Sequence, residues 1–113
     1  MWKNNNNYLI NINISEDKIM ATLTDGESDI ADFSLATPKD NFKKFITMLR
    51  ALVGSLESIA EEKGIEITKL IFHISSAFEL VKAGMVKCKS IPVLNNINLE
   101  DYLVEYKGKV SYI

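Results

Sequence analysis

The sequence predicts an α/β domain: a mixed five-stranded sheet with a long first helix packed on it, in the order β-β-β-α-β-α-α-β. Three observations carry this prediction. Tyr8 to Ile14 reads Y-L-I-N-I-N-I, which puts Ile10, Ile12 and Ile14 on one side of a strand and Leu9, Asn11 and Asn13 on the other. Asp25-Gly26 is a hairpin signal between two further apolar runs. Beyond them, apolar residues recur at helical spacing from Phe42 to Ala60, and Gly64 follows as a stop.

The elements follow in order. After the first strand, Ser15 to Lys18 form a polar turn, Ile19 to Thr24 a second strand, and Ile30 to Leu35 a third, so the three make an antiparallel meander. Thr37-Pro38-Lys39-Asp40 supplies an N-cap hydroxyl, a proline suited to the first helical position and an acid three residues after the cap. A helix from Pro38 to Lys63 would be on the order of 39 Å long. Ile67 to Ile74 is apolar enough for a central strand. A short helix is expected over about Ser76 to Lys87. Asn98 with Asp101 caps a last helix through Tyr106, Gly108 ends it, and Val110 to Ile113 forms the final strand.

Composition bounds the rest. The chain of 113 residues is 47% apolar and 25% charged, ordinary values for one globular domain, read here as residues 8–113 behind a disordered polar start at 1–7. A net charge of −2 argues against a partner drawn by bulk positive charge, as nucleic acid is. The lone Cys88 excludes an internal disulfide, and no apolar run nears the roughly 20 residues that span a bilayer. No secretory signal pattern opens the sequence, so a cytoplasmic setting is expected.

The segment I-F-H-I-S-S-A-F-E-L-V from Ile71 to Val81, and N-L-E-D-Y-L-V-E-Y-K-G-K-V-S-Y-I from Asn98 to Ile113, resemble parts of the ribonuclease H-like fold. The element order resembles that fold over nearly the whole chain. The resemblance implies two divalent metals about 4 Å apart, held by clustered carboxylates. At the matching positions stand Asn11 or Asn13, a residue near Phe42, and Ser76, and the sequence stops at Ile113 before the family's last acid and histidine. Metal-dependent cleavage is therefore not expected, and the chain is expected not to be an enzyme.

Other constellations are sparse. His73 shares a strand face with Ile71 and Ser75, and an enzymatic reading would need a site around His73, Ser75 and Ser76. The simpler alternative is a partly buried histidine satisfied by backbone or solvent. Cys88 lies between Lys87 and Lys89, which would favour its thiolate, but no histidine is near it in sequence. Neither a glycine-rich phosphate loop nor a metal-ligand spacing occurs, so no cofactor is implied.

Charge placement says more. Lys39, Lys43, Lys44 and Arg50 crowd the start of the long helix while Glu57, Glu61 and Glu62 occupy its end, the reverse of what the helix dipole favours. Lys82, Lys87 and Lys89 form a second basic group. These seven residues are the candidate partner-binding positions; the alternative is a solvated face. The expected function is a protein-binding module, of the kind that phage or mobile elements use to inhibit host defence. The alternatives are nucleic-acid binding without cleavage and a HicB-like antitoxin, which resembles part of the same element order. No membrane partner is expected. A homodimer through Phe42, Phe45 and Met48 stands beside core packing of the same residues.

Overall fold

The structure is a computed structural model that describes residues 8–38, 40–74, 78–82 and 85–113. Alternation builds the first strand as the sequence suggests. In β1 (Tyr8–Ile14), Ile10, Ile12 and Ile14 are fully buried on one face, and Asn11 and Asn13 lie half-buried on the other. β2 (Lys18–Thr24) and β3 (Asp29–Ala36) complete an antiparallel meander. The turn between them rests on Asp25, whose Oδ1 accepts the backbone N–H groups of Glu27 and Ser28, both at 2.8 Å. Gly26 takes the left-handed φ of 98° that this turn requires.

Helix α1 (Phe42–Lys63) then crosses back and leads into β4 (Ile67–Ile74), which pairs parallel with β1. One extra residue, Thr68, interrupts that register, and its hydroxyl donates to the Tyr8 carbonyl at 3.0 Å. With the last strand, β8 (Val110–Tyr112), the sheet has the order β3-β2-β1-β4-β8, and β4–β8 is also parallel. An α/β architecture with a mixed five-stranded sheet and one long helix is thus observed.

α1 starts later than the sequence suggests. Asn41, and not Thr37, is the N-cap: its side chain accepts the Lys44 N–H at 3.0 Å. The Thr37 hydroxyl is taken up elsewhere, donating to the Ser15 carbonyl at 2.8 Å. The helix therefore has 22 residues, about 33 Å in length. Gly64 closes it with φ 68°, its N–H directed at the Ala60 and Glu61 carbonyls.

The core lies on one face of the sheet. α1 packs over β2 and β3, burying Phe45, Leu49, Leu52 and Leu56, and the segment from Met85 to Tyr106 shares that core through Val86, Ile91, Leu94, Leu99 and Leu103. Phe72 of β4 is fully buried and stacks on Tyr112 of β8, with ring centroids 5.5 Å apart. No helix among the described residues is long and apolar enough to cross a membrane.

Two expected helices are absent from the described residues. In place of the first stand β5 (Glu79–Lys82) and β6 (Met85–Lys87), an antiparallel pair extended by β7 (Asn95–Ile97) into a second, three-stranded sheet. The physical reason is visible in the sequence: Gly84 falls in the middle of the expected helix, where it costs about 1 kcal/mol relative to alanine. In place of the last helix stand two 3-10 turns, Leu99–Tyr102 and Val104–Tyr106. Asn98 does cap the first of them, accepting the Glu100 N–H at 3.0 Å, but Leu103 at φ −132° and ψ 63° breaks the helical path. The order is therefore β-β-β-α-β-β-β-β, two 3-10 turns and β.

Candidate functional site

The strand order fixes where a ligand would be received. β1 continues to β2 on one side while β4 leads toward β8 on the other, so the chain leaves the carboxyl ends of the two parallel central strands in opposite directions. The point where the connections part is the usual ligand position in open α/β sheets. Asn13 and His73 are register partners there, one residue short of each strand's end. His73 Nε2 lies 3.0 Å from Asn11 Oδ1, and since the amide oxygen can only accept, the ring nitrogen donates. The residues offered at this end are amides and an imidazole.

Flanking turns complete the site. The Ser15 hydroxyl accepts the backbone N–H groups of Asp17 and Lys18 and donates to the Lys18 carbonyl, so the β1–β2 turn uses its own donors internally. Glu16 and Asp17 are exposed on it. Thr37 joins this turn to the start of α1 through its hydroxyl and through its N–H to the Asp17 carbonyl at 3.1 Å. Thr37 also lines a cavity of about 380 Å³ with Pro38, Asp40, Ser90 and Pro92. Ser90 in turn lines a neighbouring cavity of about 370 Å³ with Phe78, Glu79, Lys87 and Lys89. These volumes suit a small polar molecule.

The predicted partner-binding residues are dispersed. Lys87 and Lys89 come together at the cavity beside Phe78. Lys43 and Lys44 stand exposed on the first turn of α1. Arg50 lines a separate cavity of about 380 Å³ between α1 and the 3-10 turns, with Glu57, Glu105 and Tyr106. Lys82 ends β5, and Lys39, Ser75 and Ser76 lie outside the described residues. Arg50 and the Lys87–Lys89 pair thus line different cavities and do not share a groove.

Cys88 is 2% exposed, and its N–H donates to the Leu94 carbonyl at 2.7 Å, which makes it a packed core residue in place of a reactive thiol. Among the described residues no group of three or more His, Cys, Asp or Glu is placed to hold a metal ion. Sequence reading missed Phe78, Glu79 and Ser90 as cavity walls, because no motif marks them.

No protein-family model and no curated protein matches the sequence. Solved structures do match. The chain is similar to the ROK hexokinase from Thermus thermophilus, with TM-score 0.67 and 18% identity over 93% of this chain and 34% of that one. It is similar to a ROK-family transcriptional regulator, a homologue of the E. coli MLC protein, with TM-score 0.74 and 11% identity over 96% of this chain and 27% of that one. A ROK-family glucokinase from Streptomyces griseus in complex with glucose and AMPPNP gives TM-score 0.59 and 16% identity over 92% of this chain and 31% of that one. The chain spans about a third of the length of these structures.

The fold is therefore similar to part of these ROK-family structures, and the ribonuclease H-like resemblance is corrected. Both frames contain a mixed five-stranded sheet, which is why the strand pattern suited either. The expectation of a non-enzymatic phage or mobile-element inhibitor, with its nucleic-acid and antitoxin alternatives, falls with it. That expectation rested on carboxylates missing from a nuclease frame, whereas the proteins sharing this fold include sugar kinases and a regulator.

Proposed function

We propose that the chain is a sugar-recognition lobe of the ROK kind, receiving a hydroxyl-rich ligand at the carboxyl ends of β1 and β4. The observation that carries this reading is the chemistry of that end. Asn13 and His73 offer an amide and an imidazole, groups that donate to and accept from sugar hydroxyls. Phe78, in the adjacent cavity, offers a flat apolar wall for the C–H side of a sugar ring. The β1–β2 turn argues against a phosphate as the primary ligand, since its N–H groups serve Ser15 and it exposes Glu16 and Asp17.

One observation favours a second reading, phosphoryl transfer to the bound sugar as in the kinases of the same fold. Lys87 and Lys89 stand at the cavity, and lysine ammonium groups pair with phosphate. Amide chemical-shift changes on titration with glucose, N-acetylmannosamine and sucrose, each with and without ATP, test both. A sugar-dependent shift at Asn13, His73 and Phe78, lost in Asn13→Ala, supports the lobe reading. Sugar-dependent release of ADP favours the kinase reading. Failure of every sugar to shift any of these residues sinks both.

A further inference from the structure

We propose that the chain pairs with a second copy of itself along the outer edge of β3. Strand would lie against strand and α1 against α1, about a two-fold axis perpendicular to the sheet. This goes beyond the sugar-recognition reading and does not depend on it.

β3 ends the sheet, and among the described residues no strand pairs with its outer side. It is eight residues long and carries neither the lysine nor the proline that commonly guards an edge. Phe33 and Leu35, on the face shared with α1, remain 41% and 39% exposed. A bulge at Ile30 and the Asp29 carboxylate guard the first part of this edge, but residues 33–36 carry neither, and an open edge beside exposed apolar side chains is the template that another strand extends.

Charge and parity select the register. A two-fold axis perpendicular to the sheet keeps each face continuous, so residues paired across it must point the same way. Centring the axis on Phe33 satisfies this. Phe33 then meets its own copy, Leu35 meets Ala31, and Asp32 meets Ser34, so the two Asp32 carboxylates avoid each other. Centring on Asp32 would set them face to face.

The helices supply the independent argument. α1 lies over β2 and β3, so with strands about 4.8 Å apart two copies of α1 would run about 10 Å apart, close to the spacing of packed helices. One flank of α1, through Ile46, Arg50 and Glu57, faces the cavity beside Leu103 and Tyr106. At 3.6 residues per turn, Lys44, Met48, Ser55, Ile59 and Glu62 fall on the opposite flank, toward the β3 edge. The axis makes the two helices antiparallel. Lys44 then approaches Glu62 of the copy and Met48 approaches Ile59, with the small Ser55 between them. The basic start and acidic end of α1, unfavourable toward its own dipole, become complementary across this axis.

Sedimentation of the full chain over a concentration series tests the pairing, with circular dichroism melting to show that each variant is folded. A reversible dimer is expected. Phe33→Lys should raise its dissociation constant by at least about tenfold. Lys44→Glu should also weaken it, and adding Glu62→Lys should restore it. Oxidised Phe33→Cys should cross-link as a dimer, because directly opposed antiparallel residues lie about 4.5–5.5 Å apart at Cα, within disulfide range. Cys88, being buried, would not compete. Ser111→Cys, on the other edge strand, should not cross-link. A monomer at every concentration, a dimer insensitive to Phe33→Lys, or a charge swap that restores nothing would each overturn the proposal.

Discussion

The Tyr106 hydroxyl donates to Glu57 Oε2 at 2.6 Å, tying the second 3-10 turn to the C-terminal half of α1. Burial, then the hydrogen bond and charge of Glu57, hold the Tyr106 hydroxyl well above its ordinary value of 10.0. Burial also raises Tyr112, where the Leu99 N–H donating to its oxygen works in the opposite direction. Both phenols are thus held in their neutral form by the fold, and both fasten the segment before β8 to the rest of the molecule.

Stability is expected to fall at alkaline pH. A tyrosine whose folded value exceeds its unfolded one contributes fully below the unfolded value of about 10, and that contribution is lost as pH rises toward the folded value. The unfolded chain releases its protons first, so the slope of stability with pH is negative in this window. Urea midpoints should be flat through neutrality in this respect and decline above pH 10. Tyr106→Phe should make the decline shallower.

At neutral pH the same contact has a measurable value. A hydrogen bond to a carboxylate contributes about 1.5–3 kcal/mol, and Glu57 is only half-buried, so Tyr106→Phe should cost near the lower end, about 1.5 kcal/mol. In a double-mutant cycle with Glu57→Gln, most of that loss should appear as coupling between the two positions. Additive effects would show that the contact carries no net stability.

Asn41→Ala should destabilise the protein by about 1 kcal/mol in urea unfolding, the usual value of a lost N-cap. Gly64→Ala should cost a similar amount of about 1 kcal/mol, since alanine at φ 68° is strained even where space is open. Thr37→Ala should leave the helix start unchanged and loosen the β1–β2 turn instead. Amide exchange at Lys44 and Asp17 separates the two effects.

How far the sequence was legible depended on how local the deciding interactions were. The meander and β4 could be read because every second residue of β1 and β4 has a burial state set by strand geometry alone. The start of α1 was misplaced by four residues because Thr37-Pro38 has the local chemistry of a cap, and only a contact 22 positions away, at Ser15, diverts the hydroxyl. The segment from Glu79 to Tyr106 was least legible. Its apolar residues suited a helix, yet Gly84 disfavours one in the sequence, and the chain turns at Asn96 with a positive φ of 56°. The site was half legible: His73 could be singled out as the lone histidine, whereas Asn11, its partner, is 62 positions away. Phe78 and Ser90 are cavity walls only because the second sheet folds beside the first.

The two faces of the main sheet should answer differently to substitution. Phe72 and Ile71 are adjacent on the central strand β4, yet Phe72 is fully buried beneath the α1-side core while Ile71 is only half-buried on the face that carries Asn11, Asn13 and His73. Phe72→Ala removes a ring that stacks on Tyr112 and should cost about 3–5 kcal/mol, because neighbours relax only partly into the cavity it leaves. Ile71→Ala removes side-chain area that already meets solvent, and should cost about 1 kcal/mol. Urea unfolding of both variants measures the contrast. Equal large losses would mean that the asparagine-bearing face is covered in the working protein as thoroughly as the helix-bearing one, and that the space at its carboxyl end is narrower than the open strand ends suggest.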